Sequence, residues 1–177
     1  MNRIGIVLFS VAIMALSASA QMLPIIPGPE KDSTGKFKLF DYSIPLEGIS
    51  DPGILLSHFS QRPLLVFYYS PKCPHCQTTF PKFQAIVSNY EPKGLQGLAI
   101  SVGQMKKNDI RMFMDQQNCR VPMFMDGNRK FSDLYGTGHV PLIMFVKENG
   151  QYIRYTENND QALADLKAEL NKHFSKK

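Results

Sequence analysis

Leu64-Leu65-Val66-Phe67-Tyr68-Tyr69 is an unbroken apolar, β-prone run bounded by Pro63 and by Ser70-Pro71, the pattern of a central strand buried on both faces. Beyond it, Phe80, Phe83, Ile86, Val87 and Tyr90 recur at spacings of three and four. That periodicity predicts one buried face of a helix that opens at Cys73-Pro74-His75-Cys76. Leu95 to Val102 reads as a second buried parallel strand, 108–117 as a helix and 121–125 as a short strand ended by an Asp126-Gly127-Asn128 turn. Residues 142–146 and 152–155 flank Glu148-Asn149-Gly150, which predicts an antiparallel hairpin. Leu163, Leu166, Leu170 and Phe174 form the stripe of a terminal amphipathic helix over 160–174. Upstream, 37–42 alternates as an edge strand would, and 51–60, opening on Asp-Pro, reads as a short helix. The order β-α-β-α-β followed by β-β-α predicts an α/β chain: one central mixed sheet flanked by helices, with a CxxC at the N-terminus of a helix.

The first twenty residues follow another logic. Arg3, the apolar run Ile4 to Leu16 and Ser17-Ala18-Ser19-Ala20 make a secretory signal peptide over 1–20, with cleavage expected before Gln21. The run is shorter than the roughly 20 residues that a membrane span needs, and no cysteine follows the cut to carry a lipid. No later segment is apolar enough to span, so no stable membrane span is expected after cleavage and the protein is expected in the periplasm or otherwise exported. Residues 21–35, with Pro24, Pro27, Gly28, Pro29 and Gly35, read as an extended lead-in segment, leaving 36–177 as the folded domain.

Composition adds little to this picture, since 44% hydrophobic and 20% charged residues describe an ordinary folded chain. The formal charge is +5, or +4 without residues 1–20. Its tightest basic groups, Lys106-Lys107 and Lys176-Lys177, are too small for a nucleic-acid surface.

Three cysteines cannot all pair within one chain. Cys73 and Cys76 stand three residues apart, a spacing that suits a redox pair or half of a metal site, and Cys119 is left over. A dithiol that exchanges disulfides needs an exposed, ionisable attacking sulfur and a second thiol to resolve the mixed disulfide. At a helix start, free N–H groups favour the thiolate of Cys73. Pro74 suits the first helical turn because its missing N–H would have no partner there. His75 and Lys72 add positive charge, and Cys76 lies one turn deeper. A structural zinc site lacks a second ligand pair among Cys119, His58, His139 and His173, and a structural disulfide in so tight a loop would be unusual.

These residues resemble the thioredoxin superfamily over roughly 36–174. The resemblance rests on the 64–69 strand, the CxxC helix, Pro81 five residues after Cys76, and Gly138-His139-Val140-Pro141 before the hairpin. It implies a thioredoxin-like fold, a helix-kinking role for Pro81, and a cis-proline at Pro141 that, with Val140, binds the substrate backbone opposite the dithiol. The segment from Tyr135 to Gly150 is most similar to the exported TlpA, ResA and CcmG group. The Pro-His dipeptide and the valine before the cis-proline are similar to DsbA, whose large helical insertion does not fit between Cys76 and Pro141. Two departures stand out. Phe67 occupies the position of a buried carboxylate common in the superfamily, and Thr79 that of a ResA-type glutamate, so the resemblance supplies no proton acceptor for Cys76.

The resulting expectation is an exported thiol-disulfide oxidoreductase with Cys73, Cys76, His75 and Pro74 as catalytic residues and Val140 and Pro141 binding substrate. Its partners would be protein thiols and disulfides and a protein that recycles the dithiol. No dissociable organic cofactor is expected, because the dithiol is itself the redox group. The alternative is a copper-binding, metal-delivery protein on the same fold, in which His139 joins the cysteines as in Sco-like proteins. Met105, Met112, Met114, Met123, Met125 and Met144 would suit that reading, but an adaptable core or binding surface is the favoured account of them. Cys119 reads as a buried small hydrophobe, and Tyr68 and Tyr69 as groove-lining or packing residues.

Overall fold

The computed structural model describes residues 27–50, 52–156 and 159–175. The predicted signal peptide over 1–20 lies outside them. In chain order the elements are β1 (Pro45–Gly48), β2 (Ile54–Leu55), a 3-10 turn (Leu56–Phe59), β3 (Leu64–Tyr69), α1 (Pro74–Tyr90), β4 (Gln96–Ser101), α2 (Lys107–Gln116), β5 (Met123–Met125), α3 (Lys130–Tyr135), β6 (Leu142–Val146), β7 (Tyr152–Tyr155) and α4 (Asp160–Phe174). The strands form one sheet in the order β2-β1-β5-β4-β3-β6-β7. β3, β4 and β5 run parallel, while β6, β7 and β1 join antiparallel.

Side chains alternate along a strand, so the six apolar residues of β3 serve two cores at once. Leu65, Phe67 and Tyr69 pack with Phe80, Phe83 and Ile86 of α1, Phe113 of α2 and Leu163, Leu166 and Leu170 of α4. Leu64, Val66 and Tyr68 point the other way, against Phe40 and against Phe131 and Tyr135 of α3. Gly97 on β4 lets α1 approach closely, because a Cβ there would fall 2.6 Å from Val87 Cγ2.

Three segments differ from the sequence pattern. Residues 37–42 form only isolated bridges, Lys31 to Phe37 and Leu39 to Gln151. Their alternation misleads because Phe37 and Leu39 are exposed and only Phe40 is buried. Residues 52–60 are not a continuous helix. Ile54 pairs with Leu46 of β1 and the Leu56 N–H donates to the Ile44 carbonyl at 3.0 Å, so Gly53 folds the chain back as a strand before a single 3-10 turn. The third segment, α3, follows the Asp126-Gly127-Asn128 turn and is too short for periodicity to reveal.

Within the lead-in, residues from Glu30 onward lie along the outer rim of β7. The Glu30 N–H donates to the Tyr152 carbonyl (3.0 Å), Phe40 N–H to the Gly150 carbonyl (2.8 Å), and Glu30 Oε1 pairs with Arg154 Nε (2.9 Å). The opposite rim is β2, two residues long. No helix among the described residues is long and apolar enough to cross a membrane.

Candidate active site

β3 delivers the chain to the carboxyl edge of the sheet, where a tight turn reverses it into α1. The Ser70 carbonyl accepts from Cys73 N–H (3.1 Å) and the Pro71 carbonyl from Gln77 Nε2 (2.9 Å), which pins the turn from both sides. Cys73 is the N-cap of α1, with extended backbone (φ −86, ψ 118), and its sulfur accepts the Cys76 N–H at 3.4 Å. Pro74 takes the first helical position, where the absence of an N–H costs no hydrogen bond. A sulfur in that place faces the amides of a helix N-terminus.

The two thiols, both free, sit in different surroundings. Cys73 is half-buried, whereas Cys76 is 0% exposed within the cluster of Phe67, Tyr69, Phe80 and Phe83. Burial, and then the hydrogen bond with the Cys73 sulfur, push the Cys76 thiol well above its ordinary range. Across from α1 lies the loop before β6, whose Val140–Pro141 peptide bond is cis. The Cys73 thiol donates to the Val140 carbonyl at 3.6 Å. Cys73, Pro74, Cys76, Val140 and Pro141 are therefore brought to one place.

The other sequence candidates fall differently. His75 is exposed on the first turn of α1. Lys72, expected to add charge beside Cys73, is paired with Asp109 of α2 at 2.9 Å. Tyr68 and Tyr69 are core residues of opposite faces. The Tyr69 hydroxyl donates to Met123 Sδ (3.3 Å) and the Tyr68 hydroxyl to Asp126 Oδ2 (3.4 Å). Cys119 is half-buried, its thiol donates to the Val121 carbonyl (3.2 Å), and burial raises it. His139 is exposed, and no group of three or more His, Cys, Asp or Glu among the described residues could hold a metal ion.

Sequence reasoning missed two supports of the site and a buried carboxylate on the sheet's other face. Gln77 holds the turn before Cys73, a role signalled only by its place four residues after that cysteine. Met105 lies beside the same turn, with Sδ 3.9 Å from the Ser70 hydroxyl. Asp126 is fully buried and caps α3.

Comparison with known proteins agrees with this geometry. The chain is similar to the thiol-disulfide oxidoreductase ResA of Oceanobacillus iheyensis, 25% identical over 120 residues that cover 68% of this chain and 60% of that protein. It spans 55% to 60% of the length of the ResA relatives it matches. Among solved structures it is similar to a secreted Mycobacterium tuberculosis disulfide oxidoreductase homologous to Escherichia coli DsbE, with TM-score 0.62, 14% identity and coverage of 74% of this chain and 96% of that one. It is also similar to a Chlorobium tepidum protein assigned as the thiol:disulfide interchange protein DsbE, with TM-score 0.68, 18% identity and coverage of 77% and 98%. At such identities the structures establish the thioredoxin-like fold. The match of residues 38–156 to the AhpC/TSA family model covers all seven strands of the sheet, the Cys73–Cys76 helix and the cis-proline loop, and the chain belongs to that family.

Proposed function

We propose that the chain is an exported thiol-disulfide oxidoreductase that exchanges disulfides with protein thiols through Cys73 and Cys76. The observation that carries the reading is the asymmetry of the pair: a half-buried Cys73 sulfur at the N-cap of α1 facing Val140–Pro141, and a fully buried Cys76 one turn behind it. The names of the ResA and DsbE-type relatives support the same chemistry.

When the pair is oxidised, a substrate thiolate attacks Cys73 Sγ. The Cys73–Cys76 bond breaks, a mixed disulfide forms, and Cys76 leaves as a thiolate that takes a proton. A second substrate thiolate then attacks the substrate sulfur and expels Cys73 as thiolate, so that two electrons pass from substrate to the dithiol. Reduction of a substrate runs the same steps backwards. Pro74 holds the helix start, His75 tunes the thiolate of Cys73, and Val140 and Pro141 position the substrate chain in extended form. A second protein must recycle the dithiol, and the thioredoxin-like domain over 36–177 follows the signal peptide over 1–20 and a lead-in whose residues from Glu30 onward pack along β7. No group of three or more His, Cys, Asp or Glu that could hold a metal ion occurs among the described residues, so no observation favours the copper-carrier alternative.

The test is the reduction potential of the Cys73–Cys76 pair in a Cys119→Ser background against a glutathione series. A value near about −120 mV marks a disulfide donor and one near about −270 mV a reductant. Absence of a two-electron couple would sink the proposal.

A further inference from the structure

Arg62 stands just before β3, Gln96 opens β4 and Pro122 leads into β5, so all three lie at the amino ends of the parallel strands. That is the opposite end of β3 from the turn that carries Cys73. Between these residues and the second half of α1 lies a cleft of about 360 Å³, within the size range of small-molecule sites. Phe59, Val87, Leu95 and Val121 give it an apolar lining, and Arg62 and Arg120 line it as well. Both arginines are exposed and open to a ligand from solvent.

Two glutamines hold the arginines in place. Gln84 Nε2 of α1 donates to the Gln117 carbonyl (3.1 Å) and its Oε1 accepts the Arg120 N–H (2.7 Å), which fixes the chain at Arg120 against the helix. Gln96, oriented to satisfy both ends of its amide, donates to the Phe59 carbonyl (3.3 Å) and accepts from Arg62 Nη2 (3.0 Å). Beyond that bond neither guanidinium is committed. Among the described residues no carboxylate oxygen lies within 4.0 Å of either one, whereas Arg154 and four of the lysines each have an acidic partner. Glu91 lines the same cleft without reaching them, and the Ser88 hydroxyl beside it has no protein partner among the described residues.

We propose that this cleft is a binding site for a monocarboxylate attached to an apolar body, with the carboxylate held by Arg62 and Arg120 and the body lying on Leu95 and Val121. Planar guanidinium forks match carboxylate geometry, and an apolar lining strengthens such bonds by keeping water from them. With Glu91 beside the two arginines the cleft carries one net positive charge, which suits a monoanion. A phosphate dianion would meet the Glu91 carboxylate and leave the apolar lining uncovered. Free organic acids and the C-terminal residues of polypeptides both carry the required group. A second depression of about 400 Å³ adjoins the first, sharing Gln84, Ser88 and Arg120 and reaching Pro81, and it offers room for the residues that precede a C-terminal carboxylate. The site takes no part in the thiol exchange proposed for Cys73 and Cys76, so either reading can fail without the other.

The test is a titration of the protein followed by the NMR shifts of its backbone amides, with three probes: N-acetyl-leucine, N-acetyl-leucinamide and acetyl-alanyl-glycyl-leucine with a free carboxylate. Both acids are expected to shift the amides of Gly97 and Val121 with dissociation constants of about 1 mM or below. The leucinamide keeps the apolar body and loses the charge, and is expected to bind at least about tenfold more weakly than N-acetyl-leucine. The double variant Arg62→Gln, Arg120→Gln is expected to lose at least about tenfold of the affinity for the acids and little of that for the amide. Its thermal unfolding midpoint shows whether it is folded, and should it not fold, the comparison of acid with amide on the unaltered protein decides alone. A tripeptide that binds at least about threefold tighter than N-acetyl-leucine assigns the site to polypeptide ends and an equal one to free acids, and both support the carboxylate site. Four results overturn it: no saturable shift with either acid below about 10 mM, equal binding of acid and amide, full displacement of the acid by equimolar inorganic phosphate, or unchanged acid affinity in the folded double variant.

Discussion

A carboxylate with no exposed surface must be held by donors, and Asp126 has three: the N–H groups of Phe131 (3.0 Å) and Ser132 (2.9 Å) and the Tyr68 hydroxyl (3.4 Å). Hydrogen bonds to a charged group are worth about 1.5–3 kcal/mol each, with strong non-additivity. Asp126→Ala is therefore expected to lower unfolding stability by about 2–4 kcal/mol, read as a fall in the urea midpoint at unchanged slope. In sequence this aspartate looks like an ordinary turn residue, because nothing in Asp126-Gly127-Asn128 reveals that its side chain turns inward. Cys73 and Cys76 were legible for the opposite reason: their chemistry depends on spacing and on position after an apolar strand, both of which are local. Gln77 lies between these cases. Gln77→Ala removes one hydrogen bond to the Pro71 carbonyl, and a loss of about 1 kcal/mol is expected, together with a change in the alkylation rate of Cys73. An unchanged rate would mean that the Ser70 contact alone sets the turn.

Helices were readable where they are long. The 160–174 stripe appears as α4, and its start is fixed by Asn159, whose side chain accepts from the Ala162 N–H at 2.8 Å. Asn159→Ala is expected to cost about 1 kcal/mol, measurable by thermal unfolding. At its far end α4 is tied to the turn between β6 and β7 by Lys147–Glu169 (2.8 Å) and Glu148–His173 (3.0 Å). Such pairings join residues far apart in the chain, so no local pattern announces them. The same holds for 52–60, where strand pairing with β1 overrides a local helical pattern, and for α3, which is six residues long and begins after Arg129 in a left-handed conformation (φ 61). β3, by contrast, was legible because burial on both faces leaves no polar position in the run.

The whole molecule carries its aromatic hydroxyls inward on both faces of the sheet. Burial raises Tyr68 and Tyr135 from 10.0 to about 12. Because the folded state holds these protons more tightly than the unfolded one, their contribution to stability is complete below about pH 10. It is lost as pH rises from about 10 to about 12, by up to about 1.4 kcal/mol per pH unit for each tyrosine. Tyr69 and Tyr155 are raised in the same direction. The urea midpoint is expected to hold steady from pH 8 to pH 9.5 and to fall steeply by pH 11, while a flat profile would mean that the two rings ionise without unfolding.

On the proposed exchange with protein thiols, the treatment of the sheet's rims bears on how a client held by a covalent bond would be released. A captured chain with strand-forming stretches would, on many sheets, add itself as an extra strand and be trapped by a ladder of backbone bonds. Here one rim is occupied by the chain's own segment from Glu30 to Phe40, and the other offers only the two residues of β2. Among the described residues a tethered client would find only the two residues of β2 to pair with at that rim, so its capture would rest on one sulfur–sulfur bond that thiol chemistry can release.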